Sequence, residues 1–389
     1  TASTPPPRRT AVPPDDSLAG ATRSTVRAAL ADATPLPGTA GFAGLCDDVL
    51  VRDVLGRRPV FVDDADPERW AFAPDTLTQP RLLPAGCRLP LGEPVAAAER
   101  VWSLPDPAPR PADEAVAAVE TAVREHALGG TTTATRGGDA AAVAFSGGVD
   151  SAVVAAGRPT APLYVAGFPD SHDVAAAREA ATAMGRDLRW VEINHDDLRR
   201  AVPAVAAATG RTNPMDLSIA VPLFLVAERA AADGHGRLVV GQGADELFGG
   251  YAKVTDPAND DRVDATTVRG ARRETVLSLP DQLPRDVLTL RAAGVEPVAP
   301  FLHDDVIRAA LRLPGDALVD GDRRKVALRR AADGVVPETA RRADKKAVQY
   351  GTYVSRELDR LARQAGFKRR MDDHAGRYVR ALVDGDLER

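Results

Sequence analysis

Short apolar runs alternate with stretches of helical spacing through most of this 389-residue chain. Four runs stand out: Ala141 to Phe145, PLYVAGF at 162–168, LRWVEIN at 188–194, and Leu238 to Val240. Each is short and lies close to turn residues, the mark of a buried strand. Between them the spacing predicts helices, among them AAAREAATAMG and the segments that run to residue 233. Ahead of them, 111–128 (PADEAVAAVETAVREHAL) predicts an amphipathic helix with Asp113 and Glu114 in its first turn, where the helix dipole favours acids. Strands separated by helices predict a parallel, doubly wound α/β sheet. After Tyr251 the pattern predicts mainly helix. Residues 39–110 read differently, as a small β-rich domain of short strands and turns (VLVRDVLG, RRPVFVDD, RWAFAP). Residues 1–38 open with TASTPPPRRTAVPPDD, rich in Pro, Thr and charge, and predict a disordered tail. The α/β domain is expected to span 111–389.

The chemistry concentrates where the first run ends. Ala141 to Phe145 leads straight into Ser146-Gly147-Gly148-Val149-Asp150-Ser151, and a helix-friendly AVVAA follows. A strand, a glycine turn and a helix N-terminus together make an anion cradle, with free backbone amides and the positive dipole end facing one point. Ser146 and Ser151 add hydroxyl donors. Asp150 makes sense beside phosphates only with a cation between them, and Mg²⁺ is the natural choice. The lysine of a Walker A loop is missing. The segment resembles the SGGxDS loop of the N-type ATP pyrophosphatases, which split ATP between its α- and β-phosphates.

A second constellation, Leu238 to Tyr251 (LVVGQGADELFGGY), places Asp245 and Glu246 at the exit of a strand and a Gly241-Gln242-Gly243 turn. Acids at two strand ends can meet across a parallel sheet. The segment resembles SGEGADELFGGY of asparagine synthetases and the related β-lactam synthetases, with Gln242 where many members carry Glu. The resemblance extends through Glu296 and Pro300-Phe301-Leu302, although Val298 and His303 replace the family's Arg and Asp. It implies an adenine nucleotide α-hydrolase-like sheet with a helical C-terminal part. It implies ATP held by Ser146, Gly147, Gly148, Asp150, Ser151, Val165, Gly167, Gly241, Gln242 and Gly243, with Mg²⁺ on Asp150, Asp245 and Glu246. It implies Glu296 as a catalytic acid or base, and Lys345 or Lys346 as the lysine facing the α-phosphate and pyrophosphate. Lysine usage supports that last assignment. Only Lys253, Lys325, Lys345, Lys346 and Lys368 occur among 50 basic residues, so a retained lysine suggests a need for a compact ammonium.

Residues 39–110 are similar to the late strands of the glutaminase domain that precedes many asparagine synthetases, but too short for the whole of it. The nucleophilic cysteine of that domain has no counterpart at Thr1. The resemblance implies that ammonia, free or from a separate supplying subunit, serves as nitrogen source. The implied activity is an AMP-forming carbon–nitrogen ligase that adenylates a small carboxylate, foremost aspartate. The alternatives are a related ligase acting on another carboxylate or closing an amide ring, and a degenerate nucleotide-binding regulatory subunit. A net charge of −5 gives no reason to expect nucleic acid, and no apolar run reaches membrane-spanning length. Cys46 and Cys87 belong to no C-x-x-C pair and suit a reducing, cytoplasmic setting. The six histidines show no metal-ligand spacing.

Overall fold

The computed structural model describes residues 17–129, 140–169, 171–342 and 350–387. The chain divides into two compact units, Thr1–Leu104 and Pro105–Arg389. In the first unit, β1 (Leu18–Ala19), β2 (Ala43–Cys46), β3 (Val49–Arg52), β7 (Cys87–Pro90) and β8 (Glu99–Arg100) form one antiparallel sheet in the order β1-β2-β3-β7-β8. A second antiparallel sheet has the order β5-β4-β6, from β4 (Phe61–Asp63), β5 (Asp66–Ala71) and β6 (Pro80–Leu82). Leu50, Val60, Val62, Leu83, Cys87 and Leu89 fill one core with residues of both sheets. The expectation of disorder through residue 38 fails from Ser17 onward. Helix α1 (Arg23–Ala31) forms there because Thr22 caps it, accepting a hydrogen bond from the Thr25 amide. Val26 and Ala29 are buried on its inner face, and the Trp102 indole donates to the Ala29 carbonyl at 3.2 Å. Residues 1–16 lie outside the described residues.

The second unit is built on five parallel strands. These are β9 (Ala141–Ala144), β10 (Leu163–Gly167), β11 (Leu188–Glu192), β12 (Arg237–Val239) and β13 (Glu296–Val298), in the order β11-β10-β9-β12-β13. Helix α2 (Ala112–Val123) precedes them and widens into a π turn at Arg124–Leu128. Between the strands come α3 (Val149–Ala156), α4 (His172–Ala183), α5 (His195–Thr209), α6 (Pro214–Ala232), α7 (Ala244–Phe248), α8 (Val268–Leu277) and α9 (Leu279–Ala292). After β13 follow α10 (Asp304–Ala310), α11 (Gly315–Leu318), a hairpin of β14 (Val319–Asp320) and β15 (Arg323–Arg324), and α12 (Val326–Ala331). The chain closes with α13 (Glu338–Arg342), α14 (Tyr350–Gln364) and α15 (His374–Asp384). The fifth strand carries Pro297, which argues against a strand in sequence, since proline cannot donate to a ladder. It is tolerated because β13 lies at the sheet edge.

Strand β10 is buried along its whole length. Tyr164 and Ala166 of β10 join a core with Leu217, Ala220, Val221 and Leu225 of α6 and Leu358 of α14. The chain builds outward from β9 to β10 and β11, then returns to place β12 on the other side of β9. The carboxyl ends of β9 and β12 therefore flank a topological switch point, where a crevice opens in such sheets. Among the described residues, no helix is long and apolar enough to cross a membrane. The packing of α6 on the sheet generates a prediction. Leu217 is fully buried, so Leu217→Ala is expected to cost about 2–5 kcal/mol of unfolding free energy, measured by urea denaturation.

Candidate active site

The loop after β9 is shaped by glycine. Gly147 has φ +78°, and a Cβ there would lie 2.8 Å from the Ala176 carbonyl and from Ala177 Cα. Gly148 starts α3 in an extended conformation with no side-chain cap, so the first amides of the helix stay open toward the crevice. The Ser151 hydroxyl donates to the Gly148 carbonyl at 3.0 Å and lies 3.3 Å from the Ser146 hydroxyl, which fixes the turn. Asp150 points back from the first turn of α3 toward the loop after β12.

That loop brings Asp245 into range through a residue the motifs did not single out. The Lys325 ammonium donates to Asp150 Oδ2 at 2.5 Å and to Asp245 Oδ1 at 2.7 Å. Lys325 sits between β15 and α12 in the left-handed region, φ +59°. Gly250 makes this approach possible, because a Cβ there would fall 1.8 Å from Asp245 Oδ1 and 2.4 Å from Lys325 Cε. Burial alone would lower the lysine, but the two carboxylates outweigh it and hold the ammonium protonated. Asp150 Oδ1 is buried and, among the described residues, meets no hydrogen-bond donor. A buried carboxylate oxygen without a donor, facing a phosphate cradle, fits a hard cation such as Mg²⁺.

A cavity of about 380 Å³ opens beside these groups. Ser146, Asp150, Ser151, Val165, Gly241, Gln242, Gly243, Asp245 and Glu246 line it, together with apolar groups of α6 and α9 such as Pro222, Leu223 and Leu283. Glu246 accepts a 2.5 Å hydrogen bond from the Tyr251 hydroxyl. Burial, with Asp245 beside it, raises its carboxyl to about 7, and the Tyr251 bond only partly offsets this. At the far wall Gln242 donates to Asp286, and Arg285 is bracketed at 2.7 Å by Asp286 and by Asp216. Burial works against the Asp216 carboxylate, yet hydrogen bonds from Asn213, Arg211 and Arg285 hold it at about 2.

Residues 131–278 and 264–387 match the family model described as asparagine synthase. The chain belongs to the asparagine synthase family. It is 27% identical over 285 residues to the putative glutamine-hydrolysing asparagine synthetase 1 of Methanocaldococcus jannaschii, covering 64% of this chain and 52% of that protein. It is 26% identical over 215 residues to asparagine synthetase B of Escherichia coli, covering 50% of this chain and 38% of that protein. The nodule asparagine synthetase of Pisum sativum matches at 28% over 183 residues, 43% of this chain and 30% of that protein. The chain spans about half, or less, of the length of these relatives. A U34-tRNA thiolase from Methanococcus maripaludis aligns at 12% identity over 70% of this chain and 78% of that one, with a TM-score of 0.29, too low a likeness to bear on the fold.

Not every residue that the family resemblance selected converges on the cavity. Glu296 opens β13 in register with Arg237, at the amino end of the parallel sheet and away from the crevice. Arg291 grips its carboxylate at 2.8 and 2.9 Å, and Glu296 does not line the cavity. The pattern around it in sequence hid this, because strand β13 itself was not recognised. Gly167 is also off the cavity wall, and its carbonyl accepts from the Trp190 indole at 3.0 Å. The assignment of Glu246 as a metal ligand meets a carboxyl already engaged by Tyr251 and half-protonated near neutrality. Lys345 and Lys346 lie outside the described residues. Lys325 carried one signal in sequence, its place among only five lysines, but its reach to two distant acids had none.

The raised Glu246 gives a pH-dependent prediction. An unfolded glutamate ionises near 4.5, so stability falls as pH rises from there to about 7 and then levels off. Glu246→Gln removes this loss. Without ligands, the variant is expected to gain up to about 3 kcal/mol on wild type between pH 4.5 and pH 8. Urea unfolding of both proteins at the two pH values reads the difference. An equal gap at both would mean an ordinary carboxyl.

Proposed function

We propose that the chain is an ATP-dependent ligase that adenylates a carboxylate, releases pyrophosphate, and passes the acyl group to ammonia. The observation that carries this reading is the Asp150–Lys325–Asp245 cluster at the mouth of an amide-lined phosphate cradle. In this reading the open amides of α3 and the hydroxyls of Ser146 and Ser151 bind the phosphates, and Val165 with its β10 neighbour Ala166 faces the adenine. Mg²⁺ would be held by Asp150, through the oxygen that Lys325 leaves free, with Asp245 beside it. Once bound, it would offset charge on the departing pyrophosphate. Lys325 keeps the two carboxylates from repelling each other before the nucleotide arrives. On sequence grounds, Lys345 or Lys346 is assigned to the far side of the leaving group.

The incoming amine must lose a proton as the amide forms. Glu246, in the cavity wall with a carboxyl near 7, is suited to accept it, because a base works best when its pKa lies near the working pH, whereas Glu296 does not line the cavity. Tyr251 orients that carboxylate through its hydroxyl.

Aspartate is the first acceptor to test. A second reading, with another carboxylate as acceptor, is favoured by the far wall. Arg285 is the one cationic side chain lining the cavity among the described residues, and Asp216 and Asp286 already neutralise it. A dicarboxylate would find no uncompensated positive charge there, whereas Leu279 and Leu283 suit an apolar body.

Pyrophosphate release in the presence of ATP, Mg²⁺ and ammonium tests the function. Wild type is expected to turn over with at least one acid of a panel of mono- and dicarboxylates, and Asp150→Asn is expected to lose at least 100-fold with its fold intact by circular dichroism. Full turnover in Asp150→Asn would remove the assignment, and silence of wild type with every acid would favour a degenerate nucleotide-binding subunit. Within the same panel, the second reading expects an apolar monocarboxylate to exceed aspartate in kcat/KM by tenfold or more. The reverse order returns the assignment to aspartate.

A further inference from the structure

Outside the cavity, the fold gathers two histidines and a carboxylate that are far apart in sequence. His126 lies in the π turn after α2, and Asp305 is 179 residues further on, in the first turn of α10. His303 caps the same helix. The His126 Nε2 lies 3.0 Å from Asp305 Oδ2, and the His303 Nδ1 lies 3.4 Å from that same oxygen. One ligating atom from each of the three residues falls within 4.8 Å of the others. The three side chains are half-buried, open enough to admit an ion. Arg308 engages the other oxygen, Oδ1, and so turns Oδ2 toward the imidazoles. Glu125 stands at the rim, its carboxylate 3.9 Å from His126 Nε2.

We propose that His126, His303 and Asp305 bind one divalent ion of the zinc class. The spacing supports this. Two ligands about 2.0–2.1 Å from a tetrahedral Zn²⁺ stand roughly 3.3 Å apart, and the separations of 3.0 and 3.4 Å bracket that value. Two imidazoles and one carboxylate suit zinc, cobalt or nickel, whereas Mg²⁺ demands oxygen ligands. Three protein ligands leave a fourth position for water or for Glu125. The rings of His126 and His303 are stacked, with centroids 3.6 Å apart and planes 15° from parallel. A lone pair lies in its ring plane, so binding requires His126 to rotate about its soft ring torsion toward the ion. On binding, His303 Nδ1 would exchange its 3.3 Å contact with the Asp305 amide for the ion. His126 also lies in a π turn, a feature that recurs at functional sites. The ion would clip the end of α2 to the start of α10. The proposal is independent of the nucleotide chemistry, since none of the three residues lines the cavity.

Calorimetric titration of the chelator-stripped full chain with Zn²⁺, in excess Mg²⁺, tests it. One Zn²⁺ per chain is expected, with affinity falling at least tenfold from pH 7.5 to pH 5.5 as the imidazoles protonate. His126→Gln and His303→Ala are each expected to weaken binding at least 30-fold. His126→Cys, which supplies another zinc ligand, should restore it to within tenfold of wild type. His195→Ala, at a histidine paired with Glu357 elsewhere, should bind as wild type does. Zn²⁺ should also raise the Tm of wild type by several degrees and leave that of His126→Gln unmoved. Circular dichroism of each variant checks the fold, and His126→Gln keeps the α10 cap that His303→Ala removes. The absence of a one-to-one Zn²⁺ isotherm, or one that persists in both His126→Gln and His303→Ala, overturns the site.

Discussion

The ammonium of Lys325, lodged between Asp150 and Asp245, holds the crevice together. Two half-buried carboxylates at neighbouring strand ends repel when nothing stands between them, because the surrounding dielectric is lower than that of water. With the lysine in place, the two acids share one cation instead of facing each other directly. Removing one partner of such a cluster is far more damaging than the net worth of the contact, because it strands a charge out of water. The rest of the site is arranged around this constraint. The β14–β15 hairpin delivers the lysine, Gly250 makes room for it, and the ends of β9 and β12 present the acids.

The sheet order explains why those two strands carry the chemistry. β9 is laid down first and β12 is added beside it only after the chain has crossed back, so their following loops diverge to opposite faces of the sheet. The gap between them is where a triphosphate can meet both a helix N-terminus and an acid pair. A second polar layer, Gln242 with Asp286, Arg285 and Asp216, closes the cavity on the side of α9. Its single guanidinium is matched by two carboxylates, so the layer presents no surplus positive charge to the cavity. Membership of the asparagine synthase family accords with the phosphate side of this arrangement.

Much of this was legible in the sequence, and the reason is locality. The Ser146–Ser151 loop and the Gly241–Tyr251 segment carry their groups within a few residues, so spacing alone announces them. The first four strands of the parallel sheet announce themselves as apolar runs. What escaped depended on contacts between distant parts of the chain. Nothing near Lys325 states that it reaches Asp150 across 175 residues, and nothing near His126 points to His303. β13 was masked by Pro297, which only an edge position permits. α1 was masked by a polar composition that its cap and two buried residues, Val26 and Ala29, overcome. Glu296 is the converse case: its neighbours in sequence suggested chemistry, while the register of β13 sets it at the amino end of the sheet.

Gly250 ties two distant loops into one mechanical part. Its backbone passes so close to the Asp245 carboxylate and the Lys325 side chain that neither has room to shift toward it, and its carbonyl also accepts a hydrogen bond from Arg324. The turn that carries the acid and the turn that carries the lysine are therefore not interchangeable modules. A segment transplanted in place of 244–251 would have to bring the same bare backbone at the same depth, or the lysine would lose its seat and Asp150 would lose its counter-ion without being touched.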